Sequence, residues 1–171
     1  NQLKKLKYRK GIINGYASKI HYFSEWLSEN EKNNIFEICS KKIGGIPYDV
    51  TVNFMSSHPQ FYKQLKDDSL LTGEISLIEQ RISTSDSLFY IPKDKVKEIE
   101  KYLKEGMIIG ITTNIPGLDI SHSGITVKVN DRIHLLHASS DAGKVVITPI
   151  PLYDYLMSNK KQTGIIVADL R

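Results

Sequence analysis

Along the chain, the spacing of apolar positions changes character at Gly106. Before it, apolar residues recur at helical intervals with irregular links between them. Phe23, Trp26 and Leu27 mark a short amphipathic helix that Ser24 is placed to cap. Gly44, Gly45 and Pro47 punctuate a loop ahead of a strand-like run over 50–55. Ser57-His58-Pro59 opens a predicted helix to about residue 66, and Thr72 precedes another to about residue 82. Residues 88–91 read as extended. Pro92 then starts a helix with Val96, Ile99, Tyr102 and Leu103 on one face, and Gly106 stands where a C-terminal cap belongs. After Gly106 the pattern turns to strands at 107–113, 123–129, 132–138, 144–148 and 164–170, rich in Ile and Val and broken by turn residues. A short helix over 152–159 interrupts them. The expected class is α+β, a helical N-terminal half packed on a small antiparallel sheet. No internal repeat or linker divides the chain, so residues 1–171 read as one domain.

The strand pattern brings two of the five histidines together. Asn130-Asp131 reads as a two-residue hairpin loop that pairs Val129 with Arg132. Counting outward, Gly124 falls opposite His137. Alternation along each strand then puts His122, Gly124 and Thr126 on the same face as Ile133, Leu135 and His137. His122 becomes the diagonal neighbour of His137, at about 7–8 Å between α-carbons and within reach of long side chains. Gly124 between them is expected to leave room for a ring or a substrate. Two imidazoles on one face suit a relay that activates a thiol or hydroxyl: one takes the proton, the other fixes its tautomer. The plain alternative is a packed, hydrogen-bonded pair. A slip of one residue would separate the two rings, so the reading depends on the turn. His134 faces the other way and reads as structural. Zinc is the competing chemistry, with Asp119 as a third ligand to the two histidines, but no second ligand cluster and no H-E-x-x-H spacing accompanies it.

Composition changes this picture little. The 171 residues are 40% hydrophobic and 25% charged, enough for a real core. A net charge of +4, spread along the chain, argues against nucleic acid and suits an anionic bacterial envelope. No apolar run approaches the roughly 18 residues of a membrane-spanning helix, and no cofactor is implied. The first residue is Asn, so the chain is expected to begin inside a longer product. The single cysteine, Cys39, excludes an internal disulfide and reads as a small buried thiol. The candidate substrate contacts are Arg9, Tyr16, His21, Tyr22, Asp119 and Ser121. The first three are placed to line a polar cleft. His21, Tyr22 and Phe23 with Trp26 form an aromatic group, and Gly117-Leu118-Asp119 shapes the loop ahead of Ser121 and His122. Asp119 there orients a histidine, binds an ammonium group, or caps the turn.

The stretches Ile120-Ser121-His122-Ser123-Gly124-Ile125 and His134-Leu135-Leu136-His137-Ala138-Ser139-Ser140 are similar to the strand pair of the NlpC-type cell-wall peptidases, relatives of papain. More closely, the chain resembles the N-acetylmuramoyl-L-alanine amidase-like family within that group. Tyr8-Arg9-Lys10-Gly11, His21-Tyr22-Phe23-Ser24-Glu25-Trp26, Phe54-Met55-Ser56-Ser57-His58-Pro59, Ile91-Pro92-Lys93 and Gly117-Leu118-Asp119 extend the likeness along nearly the whole chain. The resemblance implies a papain-like fold and a cysteine–histidine–polar triad with the base at His122 and the orienting residue at His137. It further implies cleavage of the muramoyl–L-alanine amide, or a nearby peptide bond, in peptidoglycan fragments (muropeptides), in the periplasm or cell envelope. The family's nucleophile opens a helix upstream of the segment matching Tyr8–Gly11, where a helix N-terminus favours a thiolate. That helix is expected to precede residue 1. The family's usual Asp after Gly106 is Met107 here. Without the nucleophile, the same fold would serve as a non-catalytic muropeptide-binding domain.

Overall fold

Short runs of Ile and Val, buried on both sides, build the centre of the molecule as a sheet. The computed structural model describes residues 2–85 and 88–171. Among them are eight strands: β1 (Phe36–Ile38), β2 (Ile46–Pro47), β3 (Phe89–Pro92), β4 (Ile108–Thr113), β5 (Ile120–Val129), β6 (Arg132–Ser139), β7 (Lys144–Ile147) and β8 (Gln162–Leu170). Their order is β2-β3-β8-β4-β5-β6-β7, with β1 also paired to β8. Every strand pair is antiparallel.

Alternation along β4 and β8 divides the core between the two faces. Ile109, Ile111, Ile165 and Val167 pack with Val96, Ile99, Leu152 and Leu156 of helices α5 (Val96–Ile99) and α6 (Leu152–Ser158). On the opposite face, Ile166 and Ala168 pack with Leu27 of α2 (Phe23–Lys32) and with Phe36. Gly110 is required there, since a Cβ would run into the Phe23 ring. A third cluster joins Tyr22, Val52, Met55 and Leu65 to Ile75, Ile78 and Ile82 of α4 (Ser69–Ser83). The remaining helices, α1 (Gln2–Lys7) and α3 (Phe54–Ser57), are short. No helix among the described residues is long and apolar enough to cross a membrane.

The α+β class and the strands after Gly106 match the sequence pattern; several N-terminal details differ. Helices cover both faces of the sheet, and the N-terminal half contributes three strands of its own. The run over 50–55 is not a strand: Val52 makes one bridge to Gly117, and α3 begins two residues later. The helix expected from residue 57 is a single 3-10 turn, Pro59–Phe61, because His58 before proline is held off the helical region at φ −130°. Helix α4 starts before Thr72, at Ser69, where Asp68 accepts the Leu71 amide at 2.8 Å. The segment after Pro92 is α5 flanked by 3-10 turns, and Tyr102 stays 51% exposed. Ser24 does not cap α2; its own amide is capped instead, by Asp119 Oδ2 at 2.7 Å from far along the chain.

Candidate active site

The turn sets the site. Asn130 and Asp131 both take left-handed backbone angles, φ 48° and 62°, as a type I′ hairpin requires. Val129 pairs with Arg132 and Ile125 with Leu136, the register expected from sequence. Across that ladder His122 Nε2 lies 2.7 Å from His137 Nδ1, the rings edge to face at 89°. His137 is buried, with the Tyr155 ring of α6 5.6 Å from its own, while His122 is half-buried. His134 points to the other face, where its Nδ1 bonds the Thr148 carbonyl at 2.7 Å.

One hydrogen bond between two imidazole rings needs one donor and one acceptor. Nδ1 of His122 makes no hydrogen bond among the described residues. With Nε2–H of His122 donating to His137 Nδ1, the free Nδ1 lone pair is the basic atom. Burial, and next the neighbouring His137, hold His122 below the ordinary imidazole pKa, so it is neutral near pH 7.

A β-bulge aims the ring. Ile111 pairs with His122 but Thr112 with Ile120, leaving Ser121 as the extra, exposed residue. The bulge reverses the alternation, so Ile120 packs toward α2 and His122 toward the other face. Past Leu136, β6 continues pairing with β7 to Ser139, while β5 continues with β4 to Ile120. The space expected at Gly124 is absent: a Cβ would lie 2.6 Å from the Leu136 carbonyl oxygen and 2.7 Å from Leu135 Cδ1. Glycine is there to let two strands and a leucine meet.

The other candidates take up separate positions. Arg9 grips Glu25 with Nε and Nη2, at 2.6 and 2.5 Å, and bonds the carbonyls of Ala17 and Lys19. It ties the N-terminal segment to α2. The Tyr16 ring lies tilted at 38° against His21, 4.5 Å between centroids, and the Tyr16 carbonyl bonds His21 Nε2 at 3.1 Å. Tyr22 is buried, its hydroxyl donating to Glu79 Oε1 at 2.6 Å. Asp119 is 2% exposed; Oδ2 accepts from Ser24 and Oδ1 from Ile120, both backbone amides. Its carboxylate is thus committed, and no group of three metal-ligating side chains occurs among the described residues. A groove of about 420 Å³ runs beside β5, lined by His21, Phe23, Trp26, Tyr62, Asp119 and Ser123 among others. Ile120 and Ser123 are its lining residues on β5, and neither histidine of the pair lines it. Sequence reasoning missed Glu79, which holds Tyr22 and accepts the Met55 and Ser56 amides at 2.9 and 3.1 Å. The signal was present: a lone carboxylate on the apolar face set by Ile75, Ile78 and Ile82.

Residues 1–165 match the family described as N-acetylmuramoyl-L-alanine amidase-like. The chain belongs to that family. Its fold agrees closely with a crystal structure of an N-acetylmuramoyl-L-alanine amidase from Bacteroides uniformis, at a TM-score of 0.95 and 37% identity over 99% of this chain and 71% of that one. A structure from Bacteroides fragilis that carries a xylanase name is similar at a TM-score of 0.94 and 36% identity, covering 98% of this chain and 73% of that one. A Legionella pneumophila protein, 21% identical over 98% of this chain and 67% of that one, shares the fold alone at a TM-score of 0.71. No curated protein matches this member of the amidase-like family.

Cys39 of this amidase-like chain stands apart from the histidines. It follows β1, its amide bonding the Val167 carbonyl at 2.8 Å. From there Val167 pairs with Ile109 and Ile109 with Gly124, which places Cys39 three strand spacings, about 14 Å, from β5. Burial, and then the nearby Asp169 charge, push its thiol pKa up, the reverse of an activated nucleophile.

Proposed function

We propose that this protein is a papain-like, NlpC-type cysteine amidase that hydrolyses the N-acetylmuramoyl–L-alanine amide, or an adjacent peptide bond, of peptidoglycan fragments in the periplasm or cell envelope. The observation that carries the reading is the 2.7 Å bond between His122 Nε2 and His137 Nδ1, which leaves Nδ1 of a neutral imidazole free. His122 takes the proton of a cysteine thiol, and the thiolate attacks the amide carbonyl. The imidazolium returns the proton to the leaving amine as the C–N bond breaks and a thioester forms. Water, deprotonated by the same nitrogen, then releases the acid and the thiol. His137 accepts from Nε2–H throughout and holds the ring in the productive tautomer. Cys39 lies too far from the pair, so the thiol comes from a segment outside residues 1–171, with these residues forming the remainder of one domain. A glycosidase, as the xylanase name would have it, works with a pair of carboxylates, and the one beside this site is committed to backbone amides.

Replacing His122 with Ala in the full-length protein should lower cleavage of N-acetylmuramoyl-L-alanine peptides by roughly 10²–10⁴-fold or more. Wild-type turnover in that variant overturns the assignment. If thiol alkylation leaves muropeptide binding intact and no turnover exists to be lost, the domain is a cell-wall binding module.

A further inference from the structure

The net charge of +4 is less evenly spread than the lysines suggest. Six of the 23 basic residues and none of the 19 acidic ones fall in the first 24 positions, so the other 147 residues carry a net charge of −2. The six are Lys4, Lys5, Lys7, Arg9, Lys10 and Lys19. Arg9 is committed to Glu25. The ammonium groups of the five lysines make no ion pair or hydrogen bond among the described residues.

The fold gathers these lysines into one patch and holds it in place. Leu6 of α1 packs with Leu27 and Phe36. With Leu6 turned to the core, the helical repeat puts Lys4, Lys5 and Lys7 on the outward arc, where all three are exposed. The turn after α1 folds back on it: a Cβ at Gly11 would lie 3.4 Å from Lys5 Cγ. Lys5 and Lys10 flank a shared hollow of about 270 Å³ whose other walls, Gln2, Gly11, Asn33 and Ile35, are uncharged. Tyr8 bridges to Lys19, and the Ile20 amide donates to the Lys7 carbonyl at 2.9 Å, which brings Lys19 beside the end of α1. The chain then makes a tip between Gly11 and Gly15, both in the left-handed region at φ 67° and 72°. Between them Ile12 and Ile13 stand 58% and 56% exposed. Ser18 Oγ accepts the Asn14 amide at 2.9 Å and fixes the far side of the tip.

Unpaired lysines attract any anionic surface. A soluble polyanion would satisfy them but has no use for two adjacent bare isoleucines. A bilayer of anionic lipid satisfies both, with ammonium groups at the phosphates and apolar side chains at the headgroup–acyl boundary. We infer that the segment from α1 to Gly15 is a docking surface for an anionic phospholipid bilayer, its lysines at the headgroups and Ile12 and Ile13 inserted below them. The surface is independent of the amidase reading and would hold the protein against a membrane while its histidine pair works elsewhere.

The test is co-sedimentation of full-length protein with vesicles of phosphatidylglycerol mixed with phosphatidylcholine, and with vesicles of phosphatidylcholine alone. The protein should pellet with the first and not the second, and should leave them as salt shortens the screening length to roughly 3 Å at 1 M. Lys4→Gln, Lys5→Gln and Lys7→Gln together should weaken vesicle affinity roughly 100-fold, about fivefold per lysine. Ile12→Asn with Ile13→Asn should weaken it roughly tenfold. Lys144→Gln with Lys160→Gln, which removes as much charge from other parts of the chain, should change it little. Equal binding to both vesicles, or a loss in the Lys144 and Lys160 variant equal to that of the α1 lysines, overturns the proposal. So does full vesicle affinity in the isoleucine variant, which marks the lysines as a site for a soluble polyanion. The lipid and salt comparisons need no variant, so a misfolded one does not shield the proposal. Cleavage of a soluble muropeptide should be unchanged in all these variants, so this test and the hydrolysis test on His122 fail separately.

Discussion

His122 carries two requirements at one ring: a free lone pair on Nδ1 and a fixed orientation from Nε2. Because burial and then His137 lower its pKa from the ordinary 6.5, the neutral base persists to more acid pH. The acid limb of kcat/KM that belongs to this group should lie below about 6.5, as a pH–rate profile would read it. His137→Asp puts an anion beside Nε2 and should move that limb upward, because an anion favours the imidazolium. His137→Ala should lower kcat by roughly 10²-fold, with a smaller effect on KM. The same shift has a stability consequence of definite sign. A histidine whose folded pKa is depressed binds fewer protons folded than unfolded. His122 and His21 therefore contribute stability that is complete above about pH 6.5 and is lost as pH falls through their lower folded values. Urea midpoints across pH 7 to 5 should fall accordingly. At this scale the sequence was legible where chemistry is local: Asn130-Asp131 forced the turn and the turn forced the pair. Arg9 and Tyr22 were opaque, because Glu25 and Glu79, their partners, lie 16 and 57 residues away.

Among elements, β5 shows how one inserted residue decides which face a side chain serves. With Ser121 bulged out, Ile120 serves the α2 core and His122 the opposite face. Asp119→Ala leaves the buried amide of Ser24 without a partner at the start of α2, a loss of about 1–3 kcal/mol by denaturant titration. Gly124→Ala should destabilise by about 1–3 kcal/mol, since the new methyl meets backbone. Long alternating strands were readable from the order of Ile and Val. The short N-terminal pieces were not, because a 3-10 turn, a single bridge and a four-residue helix leave no period to find.

At the scale of the whole molecule, buried polar ties join clusters that share no continuous chain. Glu79 reaches from α4 to Tyr22 and to the start of α3. Replacing it with Ala should cost about 3 kcal/mol or more in chemical denaturation, as buried donors lose their acceptor. Arg132 holds Glu100 through two bonds at 2.8 and 3.0 Å, anchoring the hairpin to the turn after α5. Burial opposes ionisation of Glu100, yet Arg132 and the Ile133 amide hold its pKa below the usual carboxylate value. By itself the sequence determined the α+β class, the C-terminal strands, the hairpin register and hence the meeting of His122 and His137. Each follows from periodicity and turn stereochemistry within a few residues. Only the tertiary structure decided that Asp119 caps a distant helix, that Cys39 lies three strands from the pair, and that helices cover both faces of the sheet. Those outcomes depend on which elements pack together, and contacts between residues far apart in the chain leave no periodic trace in it.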